Sequence, residues 1–259
     1  VVKAPGGVRM RLEALSARND KGVEALKEFS LELHAGEIVG LAGVDGNGQK
    51  ELCEVLTGLR PSSGGRILLD DQDISGRDPA FYIEQHISHI PEDRHTTGLA
   101  MNWSLKNNLI LKQLGREPVS RHHLVQKKVA EEIWDKAHSE YQIKAISGDD
   151  LARALSGGNQ QKVILAREIN SDPRVLIANQ PTRGLDVGAA EYVRTKILEA
   201  RNSGTSCLLV SSDMEELLQL SDRIAVIYGG QLMGILPRGA DPMAIGRLMM
   251  GKREQEVGA

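Results

Sequence analysis

Cysteine is nearly missing from this chain, and that scarcity excludes two chemistries at once. Of 259 residues only Cys53 and Cys207 are cysteines. They lie far apart and outside any CxxC spacing, so neither a disulfide framework nor a dithiol or zinc site is written here. Buried free thiols in a reducing cytoplasm are the expectation. No apolar run approaches the roughly 18–20 residues that a membrane-crossing helix requires, so any membrane association must come through a partner. A basic excess is also absent. The formal net charge is −3, whereas nucleic-acid binders carry clustered positive charge, and no nucleic-acid partner is expected. Seven histidines occur, including His86, His89 and the pair His122-His123, but none stands with enough Cys, Asp or Glu at ligand spacing to make a metal site. The chain opens on valine with no signal-peptide pattern behind it, which reads as a piece of something longer.

What remains is a chain long enough for one large domain, or a domain with a subdomain, around a substantial core. Val8–Leu15 and Leu26–Leu33 read as strands around the turn Asn19-Asp20-Lys21-Gly22, and Glu37–Ala42 is a short apolar run. Behind it Leu52, Val55, Leu56 and Leu59 recur at helix spacing. Gly64-Gly65 opens another strand, Arg66–Leu69. Leu124, Val125, Val129, Ile133, Ala137 and Tyr141 fall on one helical face. The charges from Arg121 to Lys128 then take the solvated side of that helix. Asp172-Pro173 stops the next helix. The strands Val175–Ala178 and Cys207–Ser211, with the helix Ala189–Ala200 between them, give a βαβ rhythm typical of parallel sheets. Arg223–Tyr228 and Gln231–Leu236 flank Gly229-Gly230 as a tight hairpin. The last twenty residues are polar and helix-capable. These elements predict an α/β core over residues 1–97 and 151–240, a helical subdomain over 98–150, and a tail over 241–259.

Two segments carry chemistry. Strand, glycine loop, helix is the setting of a phosphate loop, GxxxxGK[ST]. Here it runs from Gly43 through Gly46, Asn47 and Gly48 to Gln49, Lys50 and Glu51. The glycines that let backbone amides approach phosphate are kept, and the start of the following helix favours an anion. The lysine position holds Gln49, and the hydroxyl position holds Lys50. One residue along a helix turns a side chain by about 100°, so Lys50 does not take its neighbour's place. A tight strand-to-helix turn without ligand is the bland alternative. The second segment is Leu155-Ser156-Gly157-Gly158-Asn159-Gln160-Gln161. It offers a hydroxyl and backbone amides at the start of a helix carrying Val163, Ile164 and Ala166, a geometry suited to phosphate. Ser156 as an ordinary N-cap is the alternative.

Together these segments resemble the ATP-binding cassette of ABC transporters, Leu155–Gln161 matching its signature loop. The likeness covers about residues 8–250. It is closest to the second cassette of tandem ATPases from importers of simple sugars and nucleosides, as Pro91-Glu92-Asp93-Arg94 and Gln180–Ala189 also match. Gly43–Gln49 leans toward the nucleoside branch. The resemblance implies a P-loop NTPase fold with a mixed sheet, N-terminal antiparallel strands and an inserted helical subdomain. Arg183-Gly184-Leu185-Asp186 matches the D-loop, which crosses the dimer interface in this family. Working members carry Asp-Glu-Pro-Thr after the strand of residues 175–178, where the aspartate holds magnesium and the glutamate polarises water. This chain has Asn179-Gln180-Pro181-Thr182. The amides keep the shape but carry no charge and supply no general base, and hard Mg²⁺ prefers carboxylate and hydroxyl oxygens. Ser212 stands where the family has its switch histidine, and Glu92 where it has the Q-loop glutamine. No aromatic is present near Asn19–Val23 to stack on adenine.

The resemblance therefore implies a cassette with a degenerate site of its own and an intact loop, Ser156 to Gln160 with Asp186 beside it, that completes ATP binding elsewhere. Magnesium would then be held only at that other site. The implied partners are an N-terminal cassette of the same polypeptide, transmembrane permease subunits, and a substrate-binding protein or lipoprotein, at the inner face of the cell membrane. A coupling helix would dock near Glu92–Trp103. Two alternatives stay open: an active ATPase in which Lys50 or Arg183 rescues phosphate binding, and a soluble non-transport ABC protein, against which the acidic charge counts.

Overall fold

A computed structural model describes residues 5–122 and 124–252. Long alternating segments come first. Strand β1 (Val8–Arg18) and strand β2 (Glu24–His34) turn Met10, Leu12, Leu15, Leu26, Phe29, Leu31 and Leu33 to one buried side. Their alternation slips where Ala14 and Glu28 take positive φ and the register shifts between Leu12 and Leu15, a bulge that restores the inward face. β4 (Gly64–Leu69) and β5 (Gln72–Asp73) extend this antiparallel sheet in the order β2-β1-β4-β5.

The second sheet is built from continuous apolar runs. β3 (Ile38–Ala42), β9 (Val175–Asn179) and β10 (Ser206–Val210) are buried at every residue, which is the signature of strands covered on both faces. With β6 (Ile87–Ile90), β11 (Arg223–Tyr228) and β12 (Gln231–Pro237) they lie in the order β12-β11-β3-β10-β9-β6. β3 pairs in parallel with β10 and β11, β10 in parallel with β9, and β12 closes the edge as an antiparallel hairpin strand. The mixed sheet and the antiparallel N-terminal strands are those expected.

Helices α1 (Gln49–Val55) and α2 (Pro79–Glu84) follow the first strands. Next come α3 (Leu105–Ile110), the two-stranded β7 (Ser120–Arg121) and β8 (Leu124–Val125), α4 (Lys127–Tyr141) and α5 (Gly157–Ile169). α6 (Val187–Asn202), α7 (Met214–Leu220) and α8 (Pro242–Met249) complete the set. Two compact units result. One contains the described residues of Val1–His89, Pro173–Gln180 and Ile197–Ala259, and the other Ile90–Asp172 with Pro181–Lys196. Both sheets belong to the first unit, save Ile90 at the end of β6; α3, α4 and α5 belong to the second.

Two sequence expectations fail. Leu59, placed at the helical spacing of Leu52, Val55 and Leu56, lies beyond α1, which ends at Val55, and is exposed. Leu124 and Val125 do not begin the helical face shared by Val129, Ile133, Ala137 and Tyr141. They are exposed, form β8 and pair with Arg121 and Ser120 across a turn in which His122 has φ 50°. The helix starts only at Lys127, after Gln126 in extended conformation. Helical spacing continued by chance into a β-hairpin, so the charges from Arg121 to Lys128 do not share one helix face either. His123 and residues 253–259 of the expected tail lie outside the described residues. Within the tail α8 forms, and it buries Ile245 and Leu248.

Candidate functional site

The glycine loop leaves the buried strand β3 and enters α1, as a phosphate loop does, but its side chains are occupied by one another. Gln49 is only 9% exposed. Its Oε1 accepts from the Asn47 N–H at 3.1 Å and its Nε2 donates to the Val44 carbonyl at 3.1 Å. The side chain at the lysine position is thus folded back into the loop, on an amide of the kind that would otherwise face an anion. Asn47 Nδ2 donates to the same Val44 carbonyl at 2.7 Å. Asn47 also braces the loop from outside, its Oδ1 accepting from Gly229 N–H at 2.6 Å and its carbonyl from Gly230 N–H at 3.1 Å.

Lys50 points elsewhere. Its ammonium lies 3.2 Å from Asp20 and 3.8 Å from Glu54, and these partners raise its pKa, the Asp20 hydrogen bond most. Arg60 also reaches Asp20, at 2.5 Å, and holds that carboxyl below its ordinary range together with Lys50. Where an adenine-stacking aromatic is absent, the β1–β2 turn is therefore tied to α1 by exposed charges.

Asn179, Gln180 and Ser212 meet at the ends of the parallel strands. Asn179 closes β9, buried. Gln180 follows with φ 49°, and its N–H donates to Val210 at 2.8 Å. Its Oε1 accepts from both the backbone N–H and the hydroxyl of Ser212, at 3.1 and 3.2 Å. Gln180 and Ser212 are thus joined by neutral groups, with no proton acceptor poised near neutral pH.

The second unit holds the signature segment. Ser156 occupies the N-cap position of α5 but makes no capping bond with its side chain; its Oγ accepts from Asn159 Nδ2 at 2.9 Å instead. Asn159 Oδ1 in turn accepts from the Lys144 N–H at 2.8 Å. Gln160 Nε2 donates to Ala152 at 3.2 Å while its Oε1 lies 3.1 Å from His95 Nε2. Gln161 Nε2 donates to Pro181 at 2.7 Å. The polar run after the glycines thus anchors the loop and leaves the start of α5 presented by small residues. Asp186 precedes α6 and accepts from Ala189 N–H at 2.9 Å, a helix cap.

Glu92 is paired with Arg183, and Arg94 Nη1 donates to the Arg183 carbonyl at 2.6 Å. Asp93 accepts from the N–H groups of His95 and Thr96 and from the Thr96 hydroxyl, which lower its pKa, the hydroxyl most. Glu92 to His95 with Arg183 and Gly184 line an open cleft of about 560 Å³. The sequence presented Glu92 and Arg183 as separate motif positions; their pairing, and the bond from Arg94 to the Arg183 carbonyl, emerge only here. An arginine beside an aspartate that starts a turn was the available signal.

The family description "ABC transporter" matches residues 26–183. The guanosine import ATP-binding protein NupO of Bacillus subtilis is 42% identical over 258 residues, 98% of this chain and 50% of that protein. The nucleoside import ATP-binding protein NupA of Lactococcus lactis is 40% identical, over 95% of this chain and 49% of that protein. The glucose import ATP-binding protein TsgD13 of Haloferax volcanii is 42% identical, over 96% and 46%. This chain spans about half the length of these relatives. Among solved structures, a nucleotide-free ATP-binding cassette from an ABC transporter superposes with a TM-score of 0.78 at 20% identity, covering 98% of this chain and 100% of that one. A dimeric cassette in a post-hydrolysis state with ADP and Pi gives 0.76 at 18%, covering 90% and 100%. The fold is the P-loop ATP-binding cassette, and the chain belongs to the ABC transporter family.

Proposed function

We propose that this chain is the second cassette of a two-cassette ATPase that drives import of nucleosides or simple sugars. On this reading its own phosphate loop is silent and its signature loop caps ATP held by the other cassette. The contrast that supports it lies between two loops. Gln49 fills its own loop and Lys50 is drawn away to Asp20 and Glu54, whereas Ser156 stands at the N-cap of α5 and Gly157-Gly158 open the helix. A magnesium-bound triphosphate does not fit the first loop: the hydroxyl position is a lysine engaged elsewhere, and Asn179 and Gln180 carry no negative charge. Lys50 and Arg183 each face carboxylates, with no lysine at position 49 to hold a phosphate.

At the other cassette's site, bound ATP would supply the terminal phosphoryl group and its magnesium. This chain would contribute the Ser156 hydroxyl and the amides that begin α5, donors aimed where negative charge gathers. Half-length coverage of import ATP-binding proteins fits a partner cassette in the same polypeptide, with permease subunits and a substrate-binding protein or lipoprotein outside it. The chain would then work at the inner face of the membrane.

The test uses the full-length protein with its permease in proteoliposomes, reading ATP turnover and solute uptake. Ser156→Ala and Gly158→Val should lower both by about tenfold or more, as loss of a transition-state donor does. Lys50→Ala should stay within about twofold, since an exposed pair contributes little. Loss of turnover in Lys50→Ala, or full turnover in both signature variants, would reject the reading.

A further inference from the structure

Arg94 has no role in the account so far, and its surroundings are unusual for an arginine. Its two carboxylate neighbours are taken: Glu92 by Arg183, Asp93 by the turn it caps. Among the described residues no carboxylate pairs with Arg94. Its Nη1 donates to the Arg183 carbonyl at 2.6 Å, and its Nε is buried with no partner. Its Nη2 lies close to two glycines. An added Cβ on Gly157 would stand 3.6 Å from it, and one on Gly184 3.5 Å. The planar guanidinium thus touches both the Arg183–Gly184 turn and the first residue of α5.

Fold stability alone does not account for this placement. The N-terminal end of a helix carries partial positive charge and favours anions, so a cation without a carboxylate is poorly placed there. The same position is well chosen if negative charge arrives at that loop during function. A flat group that hydrogen-bonds one turn and packs on the other fixes their spacing, which a flexible ammonium does not.

We propose that Arg94 is a positioning residue: it sets the register between the Ser156–Gly158 loop and the Arg183–Asp186 turn, so that both meet an incoming terminal phosphate together. The inference rests on the reading that the signature loop caps ATP held by the other cassette. Because that nucleotide would be bound mainly by the other cassette, loss of Arg94 should act on the reacting state and leave ground-state binding nearly unchanged. A fall in kcat with little change in KM is the expected signature.

The experiment compares Arg94→Met, Arg94→Lys and Ser156→Ala in the full-length transporter, measuring kcat and KM for ATP together with the unfolding midpoint. Arg94→Met should lower kcat by about tenfold or more with KM within about twofold. Arg94→Lys should keep the unfolding midpoint yet recover less than about a third of the lost kcat. Wild-type kcat in Arg94→Met, full recovery in Arg94→Lys, or an effect confined to KM would overturn the proposal. If Ser156→Ala is impaired while Arg94→Met is not, only this inference falls. If Ser156→Ala is inert, the capping reading falls and takes the inference with it.

Discussion

Glu168 is fully buried in α5, where three influences set its protonation: burial, Lys112 and Arg167. Burial by itself would push its carboxyl up. Lys112 at 2.5 Å and Arg167 at 2.8 Å outweigh that and hold the pKa below the ordinary value. Arg167 also donates to the Gly98 carbonyl at 2.8 Å, so the ions bind α5 to the turn after Asp93. A carboxyl with a depressed folded pKa contributes stability above its unfolded value of about 4.3 and loses it as pH falls through the folded one. Glu168→Ala should therefore destabilise the chain by about 3–5 kcal/mol in urea denaturation near neutral pH, because the buried Arg167 and the half-buried Lys112 lose their partner. The deficit should shrink as the pH drops below about 4. A neutral-pH loss under about 1 kcal/mol would mean that water reaches the cluster. Both cysteines, by contrast, are inert by burial, which pushes Cys53 and Cys207 up to about 12.

Among the elements, the β11–β12 hairpin does more than close the sheet. Its Gly229-Gly230 turn supplies the N–H groups that hold Asn47, and with it the glycine loop. Gly230 has φ 83°, and a Cβ there would stand 2.3 Å from the Ala25 carbonyl. Gly230→Ala should thus cost more than about 1 kcal/mol by urea denaturation, whereas Gly239→Ala, at φ 77° but in open space, should cost less. Equal losses at the two positions would show that the close approach to Ala25 is relieved elsewhere. The hairpin and the buried strands were legible because Gly-Gly between alternating runs and unbroken apolar stretches each have one structural solution. The start of α4 was not legible. Leu124 and Val125 satisfy a helical period and a two-residue strand equally well, and only the pairing with Ser120–Arg121 decides between them.

For the chain taken whole, the glycine loop, Asn179, Gln180 and Ser212 lie in the first unit, and Glu92, the Leu155–Gln161 run and Asp186 in the second. Each set is internally hydrogen-bonded, Gln180 to Ser212 in one and Ser156 to Asn159 in the other. If the capping reading holds, the isolated chain should show no magnesium-dependent ATP turnover above background and should sediment as a monomer with or without ATP. Gln180→Glu alone should not create turnover, because Gln49 would still fill the loop and Lys50 would still face Asp20. Turnover in that variant would mean that the glutamine is the only barrier to chemistry here.

The order of glycines, amides and the Leu155–Gln161 run determined by itself that this is an ATP-binding cassette, since those motifs are local and their spacing is preserved. Missing carboxylates at Asn179 and Gln180 were equally visible, because charge is a property of the residue alone. Tertiary structure decided the rest. Lys50 is committed to Asp20, thirty positions away in the chain, and Arg94 to the carbonyl of Arg183, eighty-nine away. A hydrogen-bond partner is chosen by what folding brings within about 3 Å, and that choice is not carried by the identity of either residue.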